Sequence, residues 1–147
     1  MTTPHPGQAL PRWFIPAALL ALAWNGFGAA QFARTALADE AAMVAAGMTP
    51  AQAALMAGLP VWMTLAFAVG VAGGLAGTAL LLLRRRQAIP VLGTSLVGYV
   101  ALFAGDALHG VFAAFGAPQV AVLALVVAIA AALVVMARRA ARAGALA

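Results

Sequence analysis

Cysteine is absent from the 147 residues. Its absence excludes disulfides, thiolate metal sites, thiol-linked haem and thiol nucleophiles. Lysine is absent as well, so the basic residues are eight arginines. Acids number three: Asp39, Glu40 and Asp106. Charged residues make up only 7% of the chain, against about 25% in an ordinary soluble domain. With so few ionisable groups, scattered as they are, no nucleophile, base and orienting acid form a recognisable set. Nor do the two histidines and three acids supply the three or four ligands that a metal site needs. An enzyme, a bound metal and a cofactor are therefore not expected.

What the chain has instead is apolar surface. Apolar residues make up 66% of it and the mean hydropathy is +1.06. A soluble protein needs more polar side chains than this to cover its outside. The isoelectric point of 11.8 suggests nucleic-acid binding only if a basic face sits on a water-soluble fold. Here the arginines stand at the ends of apolar runs, which is how charge flanks membrane helices, so no nucleic-acid partner is expected.

Four runs are long enough to cross a bilayer. Residues 13–33 form an uncharged stretch between Arg12 and Arg34. As a helix it rises about 31 Å, matching a hydrocarbon core of about 30 Å. The second, 59–83, is free of charge and closed by Arg84, Arg85 and Arg86. The third, 88–108, has Pro90 in its first turn, where the missing N–H is harmless, and Asp106 near its end. The fourth, 118–137, opens on Pro118 and is followed by Arg138, Arg139 and Arg142 in a short tail, 138–147. Residues 35–58 are too polar and broken to cross. Asp39 is placed to cap a short helix ending at Gly47. Thr49, with Pro50 after it and Gln52 three residues on, predicts a second short helix with a capping box. These two helices are expected at the membrane face, with Met43, Met48, Leu55 and Met56 facing lipid or the bundle. The expected fold is all-α, a four-helix integral membrane bundle in one domain.

Arginine placement sets the orientation. If each run crosses once, Arg12, the triple arginine and the last three arginines share one side, and Arg34 alone lies opposite. Cytoplasmic loops carry the arginine excess, so both termini are expected inside and 35–58 outside, in a bacterial inner membrane. A competing reading takes residues 1–30 as a signal peptide, with Gly28, Ala29 and Ala30 as its small-residue cleavage site.

Lipid is as apolar as leucine, so small residues that admit close backbones must hold these helices together. The second run carries Gly70, Gly73, Gly74 and Gly77. The first has Ala17, Ala21, Asn25, Ala29 and Ala33, and the fourth Ala124, Ala128 and Ala132. Such faces build either the bundle core or a contact with a partner or second copy. Polar groups within the bilayer are costly and mark candidate sites. Asn25 lies midway along the first run, where it either clamps a neighbouring helix or lines a polar path. Asp106 and His109 are three apart, so a helix would bring them to one face and allow them to pair. Thr64, Thr78, Thr94, Ser95 and Tyr99 add hydroxyls, which in apolar helices usually bond to their own backbone.

Several short motifs carry a resemblance: Trp24-Asn25 with Gly28, Pro60-Val61-Trp62, and Gly73-Gly74-Leu75-Ala76-Gly77. Leu82-Leu83-Arg84-Arg85-Arg86 with Ala88 and Pro90, then Ser95-Leu96, continue it. With these the chain resembles a family of small bacterial membrane proteins often labelled sugar transporters, although Ala72 stands where that family is expected to have tryptophan. The resemblance implies a four-helix membrane fold, and transport by it would require several copies together.

Three roles follow. The first is a non-enzymatic subunit or accessory protein whose small-residue faces pack on partner helices. The second is an oligomeric transporter or channel using Asn25, Asp106 and His109. The third is binding of a pigment, quinone or lipid in a groove lined by Trp13, Trp24 and Trp62. A shared polar cavity around Asn25, Asp106 and His109 separates the second from the first.

Overall fold

The computed structural model describes residues 11–147, and the amino-terminal tail through residue 10, His5 included, lies outside them. The described residues form seven helices. Four are long and apolar enough to cross a membrane: α1 (Phe14–Ala36), α4 (Val61–Leu82), α5 (Ala88–Leu108) and α7 (Ala117–Arg142). The three short ones are α2 (Glu40–Ala45), α3 (Pro50–Ala57) and α6 (Val111–Phe115).

The short helices between α1 and α4 form where their capping chemistry puts them. The Asp39 side chain accepts a hydrogen bond from the Ala42 N–H at 2.8 Å. The Gln52 N–H donates to Thr49 Oγ1 at 3.2 Å, and the Thr49 N–H donates to Gln52 Oε1 at 3.0 Å, a complete capping box. The same Gln52 amide donates from Nε2 to the Ala114 carbonyl at 3.0 Å, tying α3 to α6. Met43 and Ala53 turn inward, whereas Leu55 and Met56 are half-buried.

The four long helices run alternately up and down. α4 and α5 pack along their lengths, α1 lies on α4, and α7 lies on α5. The α4–α5 pair is close because glycines face each other's helix. A Cβ on Gly70 would sit 2.8 Å from the Tyr99 ring, and one on Gly77 would sit 2.6 Å from Leu92. In return, a Cβ on Gly98 of α5 would meet the Ala66 carbonyl and the Gly70 nitrogen of α4, both at 2.8 Å. The glycine file of α4 is thus occupied from within, by α5 and by Asn25 of α1.

Two departures from the sequence reading concern the chain after span four. The helix does not stop at Ala137 but continues to Arg142, so Arg138 and Arg139 are helical and exposed. Arginine is a good helix former, and nothing breaks the coil before Gly144, which takes φ 69°. The Gly144 N–H then donates to Ala141 and the Ala145 N–H to Ala140, a glycine-closed helix end. Beyond it the tail folds back. Leu146 is buried in a cluster with Leu81, Ala88 and Ala140, the Ala147 N–H donates to the Arg84 carbonyl at 2.7 Å, and the Arg86 N–H donates to the Ala147 carbonyl at 2.8 Å. Arg84 closes α4 with the same backbone motif as Gly144, at φ 56°, an uncommon setting for a side-chain-bearing residue.

Because Phe14, Leu81, Ala88 and Ala140 share one core cluster, the start of α1, the α4–α5 turn and the end of α7 lie at one end of the bundle. Arg85 and Arg139 are therefore at the same end, as the arginine pattern predicts.

Candidate functional site

Asn25 is 4% exposed, at the middle of α1. The turn-to-turn spacing of α1 turns Phe14, Ala18, Ala21 and Asn25 inward. Ala21 and Asn25 of the expected file lie at the centre of this face, Ala17 and Ala29 are half-buried, and Ala33 is exposed because a four-residue file drifts about 40° per step around the helix. Asn25 Nδ2 donates to the Ala21 carbonyl at 2.8 Å and, at a long 3.5 Å, to Thr78 Oγ1 of α4. Thr78 in turn donates to the Gly74 carbonyl at 2.7 Å, the back-bond expected of a hydroxyl in an apolar helix. Ser95 behaves differently. Its hydroxyl donates across the interface to the Gly70 carbonyl at 2.5 Å, joining α5 to α4. Of the three, only Ser95 makes a short bond between helices, whereas Asn25 and Thr78 bond chiefly within their own helices and meet each other at long range.

A narrow cleft opens between α1 and α7 over the α4–α5 floor. Trp24, Asn25, Ser95 and Tyr99 face it, and α7 supplies aliphatic side chains such as Ile129 and Leu133. The centre of a water-sized molecule has about 10 Å³ in which to move there, room for about one water molecule. Tyr99 spans the interface: its ring covers Gly70 of α4 while its hydroxyl approaches Gly28 of α1.

Asp106 and His109 do not pair. Asp106 is 4% exposed and accepts a hydrogen bond from Gln119 Nε2 of α7 at 3.1 Å. His109 lies past the last turn of α5, exposed, with its ring 6.0 Å from that of Trp62. The backbone of His109 keeps the helical bond to the Gly105 carbonyl at 2.9 Å, and the pairing fails because Gln119 of α7 takes the Asp106 carboxylate while the His109 ring lies beside Trp62. Asp106 is eleven residues along α5 from Ser95, about 16 Å of helix rise, so it is remote from the Asn25 cleft. Asn25, Asp106 and His109 thus occupy three separate surroundings.

The tryptophans are likewise dispersed. Trp13 is exposed at the arginine end and Trp62 at the opposite end, both where interfacial aromatic residues belong. Only Trp24 reaches the cleft, so the three do not line one groove. Among the described residues, no cluster of three or more histidines and acids is arranged to hold a metal ion.

Sequence reasoning missed Gly98 and Gly105, the reciprocal glycines of α5, and Gln119, the partner of Asp106. A Cβ on Gly105 would lie 2.7 Å from Trp62 and 2.8 Å from Met63. The available signal was the set of small residues at 95, 98 and 105, which lie on one side of a helix. Neither a protein-family profile, a curated protein nor a solved structure matches this chain.

Proposed function

We propose that this small multi-pass membrane protein is a non-enzymatic subunit or accessory protein that packs against partner helices through the outer face of α7. The observation that carries this reading is that the bundle leaves a small-residue face of α7 uncovered, in the longest and most apolar of its spans. The glycines of α4 meet α5 and Asn25 inside the bundle, whereas Ala121, Ala124, Ala128 and Ala132 of α7 face outward at three- and four-residue intervals. Such a face admits another helix at short range, the main source of association in lipid. A conduit within one chain has little support: the buried polar groups bond to each other or to backbone, and the cleft has room for about one water. The arginine distribution favours insertion in a bacterial inner membrane with the arginine end and both termini in the cytoplasm.

The lack of cysteine makes the test direct, because an introduced thiol is unique. Ala128→Cys, alkylated in native membranes with a maleimide photocrosslinker, should give a light-dependent cross-linked species, either a dimer or a defined heterocomplex. Val97→Cys, on an exposed position of α5, should give much less. Ala128→Leu should reduce recovery of the same complex. Monomer alone at both positions, in membranes never exposed to detergent, would overturn the proposal.

A further inference from the structure

We infer that the arginine end of the bundle is a binding surface for anionic phospholipid headgroups of the adjoining leaflet. The sequence alone spreads its arginines over three distant segments. Folding gathers them, because the tail turn at Gly144 returns residues 145–147 to the α4–α5 turn. Ala147 bonds to both Arg84 and Arg86, and Leu146 packs on Leu81 and Ala140. The last turn of α7, with Arg139 and Arg142, therefore stands beside the loop that carries Arg84, Arg85 and Arg86.

All of these arginine side chains are exposed. None shares its end of the bundle with an acidic side chain: Asp39 and Glu40 follow α1 at the far end, and Asp106 lies there on α5. Arg12 precedes α1 at the arginine end and adds another cation, with Trp13 exposed next to it. A guanidinium offers a planar fork of donors that matches two phosphate oxygens, and it stays charged at any physiological pH. Cations held at the membrane boundary with no acidic side chain to answer them fit a phosphate that is held there too. Phospholipid headgroups meet that condition and occupy the same depth as flanking arginines. Charge complementarity thus names the occupant, and the folded tail fixes where it sits.

The test uses the whole chain in nanodiscs containing equal amounts of phosphatidylglycerol and phosphatidylcholine, followed by release and mass measurement of the retained lipids. The wild-type protein should retain the anionic lipid in preference by about fivefold for each strong arginine contact. Salt near 0.5 M should remove most of that preference. The triple variant Arg85→Gln, Arg139→Gln, Arg142→Gln should fall toward parity. Lysine at the same three positions should keep a preference, and Arg34→Gln at the far end should leave it unchanged. If the triple variant does not insert, Arg85→Gln and Arg142→Gln taken singly should each lower the preference. Parity in the wild type, an unchanged preference in the glutamine variants, or displacement of the lipid by free inorganic phosphate would each overturn the inference.

Discussion

Asn25 occupies the space that a side chain at Gly74 would require. A Cβ built on Gly74 overlaps Asn25 Oδ1 and lies 2.9 Å from its Cγ. An asparagine can therefore sit at the centre of α1 only because the facing position of α4 carries no side chain. Gly74→Ala should displace Asn25 from its bonds and destabilise the bundle by about 1–3 kcal/mol, the usual cost of overpacking. Reversible unfolding in mixed micelles measures this. A variant as stable as the wild type would show that Asn25 has room to move.

Gly98→Ala should cost more than Gly74→Ala. The atoms met at Gly98 are backbone, the Ala66 carbonyl and the Gly70 nitrogen at 2.8 Å, and backbone cannot rotate aside. α4 and α5 would have to separate, weakening the Ser95 bond to the Gly70 carbonyl as well. The same unfolding measurement ranks the two variants, and the opposite ranking would contradict the packing described.

Asn25→Ala should cost about 0.6–2 kcal/mol, the range of polar contacts between membrane helices. The low end is expected, because the 2.8 Å bond to Ala21 lies within α1 and only the long 3.5 Å contact with Thr78 crosses between helices. A double-mutant cycle of Asn25→Ala with Thr78→Val should accordingly give a coupling below about 0.6 kcal/mol. A larger coupling would mean that the two side chains draw closer in the membrane.

Gln119→Leu removes the side-chain donor seen on Asp106 and should destabilise by about 1–3 kcal/mol, because a buried acceptor loses its partner. Asp106→Asn should be tolerated better, since its amide oxygen still accepts from Gln119. His109→Ala should have a small effect on stability, being exposed and outside the helix. Equal losses for Gln119→Leu and His109→Ala would restore the pairing that the structure breaks.

Leu146→Asp should open the folded tail without unfolding the helices. The Arg86 and Ala147 amides, bonded through this contact, should then exchange hydrogen much faster, while mid-helix amides of α4 and α5 stay protected. Unchanged exchange at Arg86 would mean that the tail contributes no restraint to the arginine turn.

Much of this architecture was legible in the chain. Apolar runs flanked by arginine on at least one side located the four long helices, and Asp39, Thr49 and Gln52 announced α2 and α3 through their own capping bonds. The rotation of each long helix was harder to read. Water imprints a polar face on a surface helix, but lipid is apolar like the core, so α4 carries little mark of which side turns inward. Glycines gave the face of α4, and the alanine file of α1 gave the middle of its buried face but not its ends, where Phe14 and Ala18 turn inward and Ala33 does not. The pairing expected of Asp106 and His109 failed for a tertiary reason, since Gln119 of α7 takes the carboxylate and the imidazole lies beside Trp62, partners that no local spacing announces. The folded tail rests on a single leucine and two backbone bonds, features with no periodicity for a sequence to display.

The bond between Ala147 and the α4–α5 turn has a temporal side. The turn leaves the ribosome some sixty residues ahead of the segment that fastens it. The tightest helix pair, being adjacent in the chain, can insert and zip together early, while its arginine-bearing corner stays loose until α7 has threaded the membrane. A nascent chain stalled before Gly144 should therefore hold a well-formed hairpin with an unfastened corner, and the addition of residues 144–147 should be what locks it.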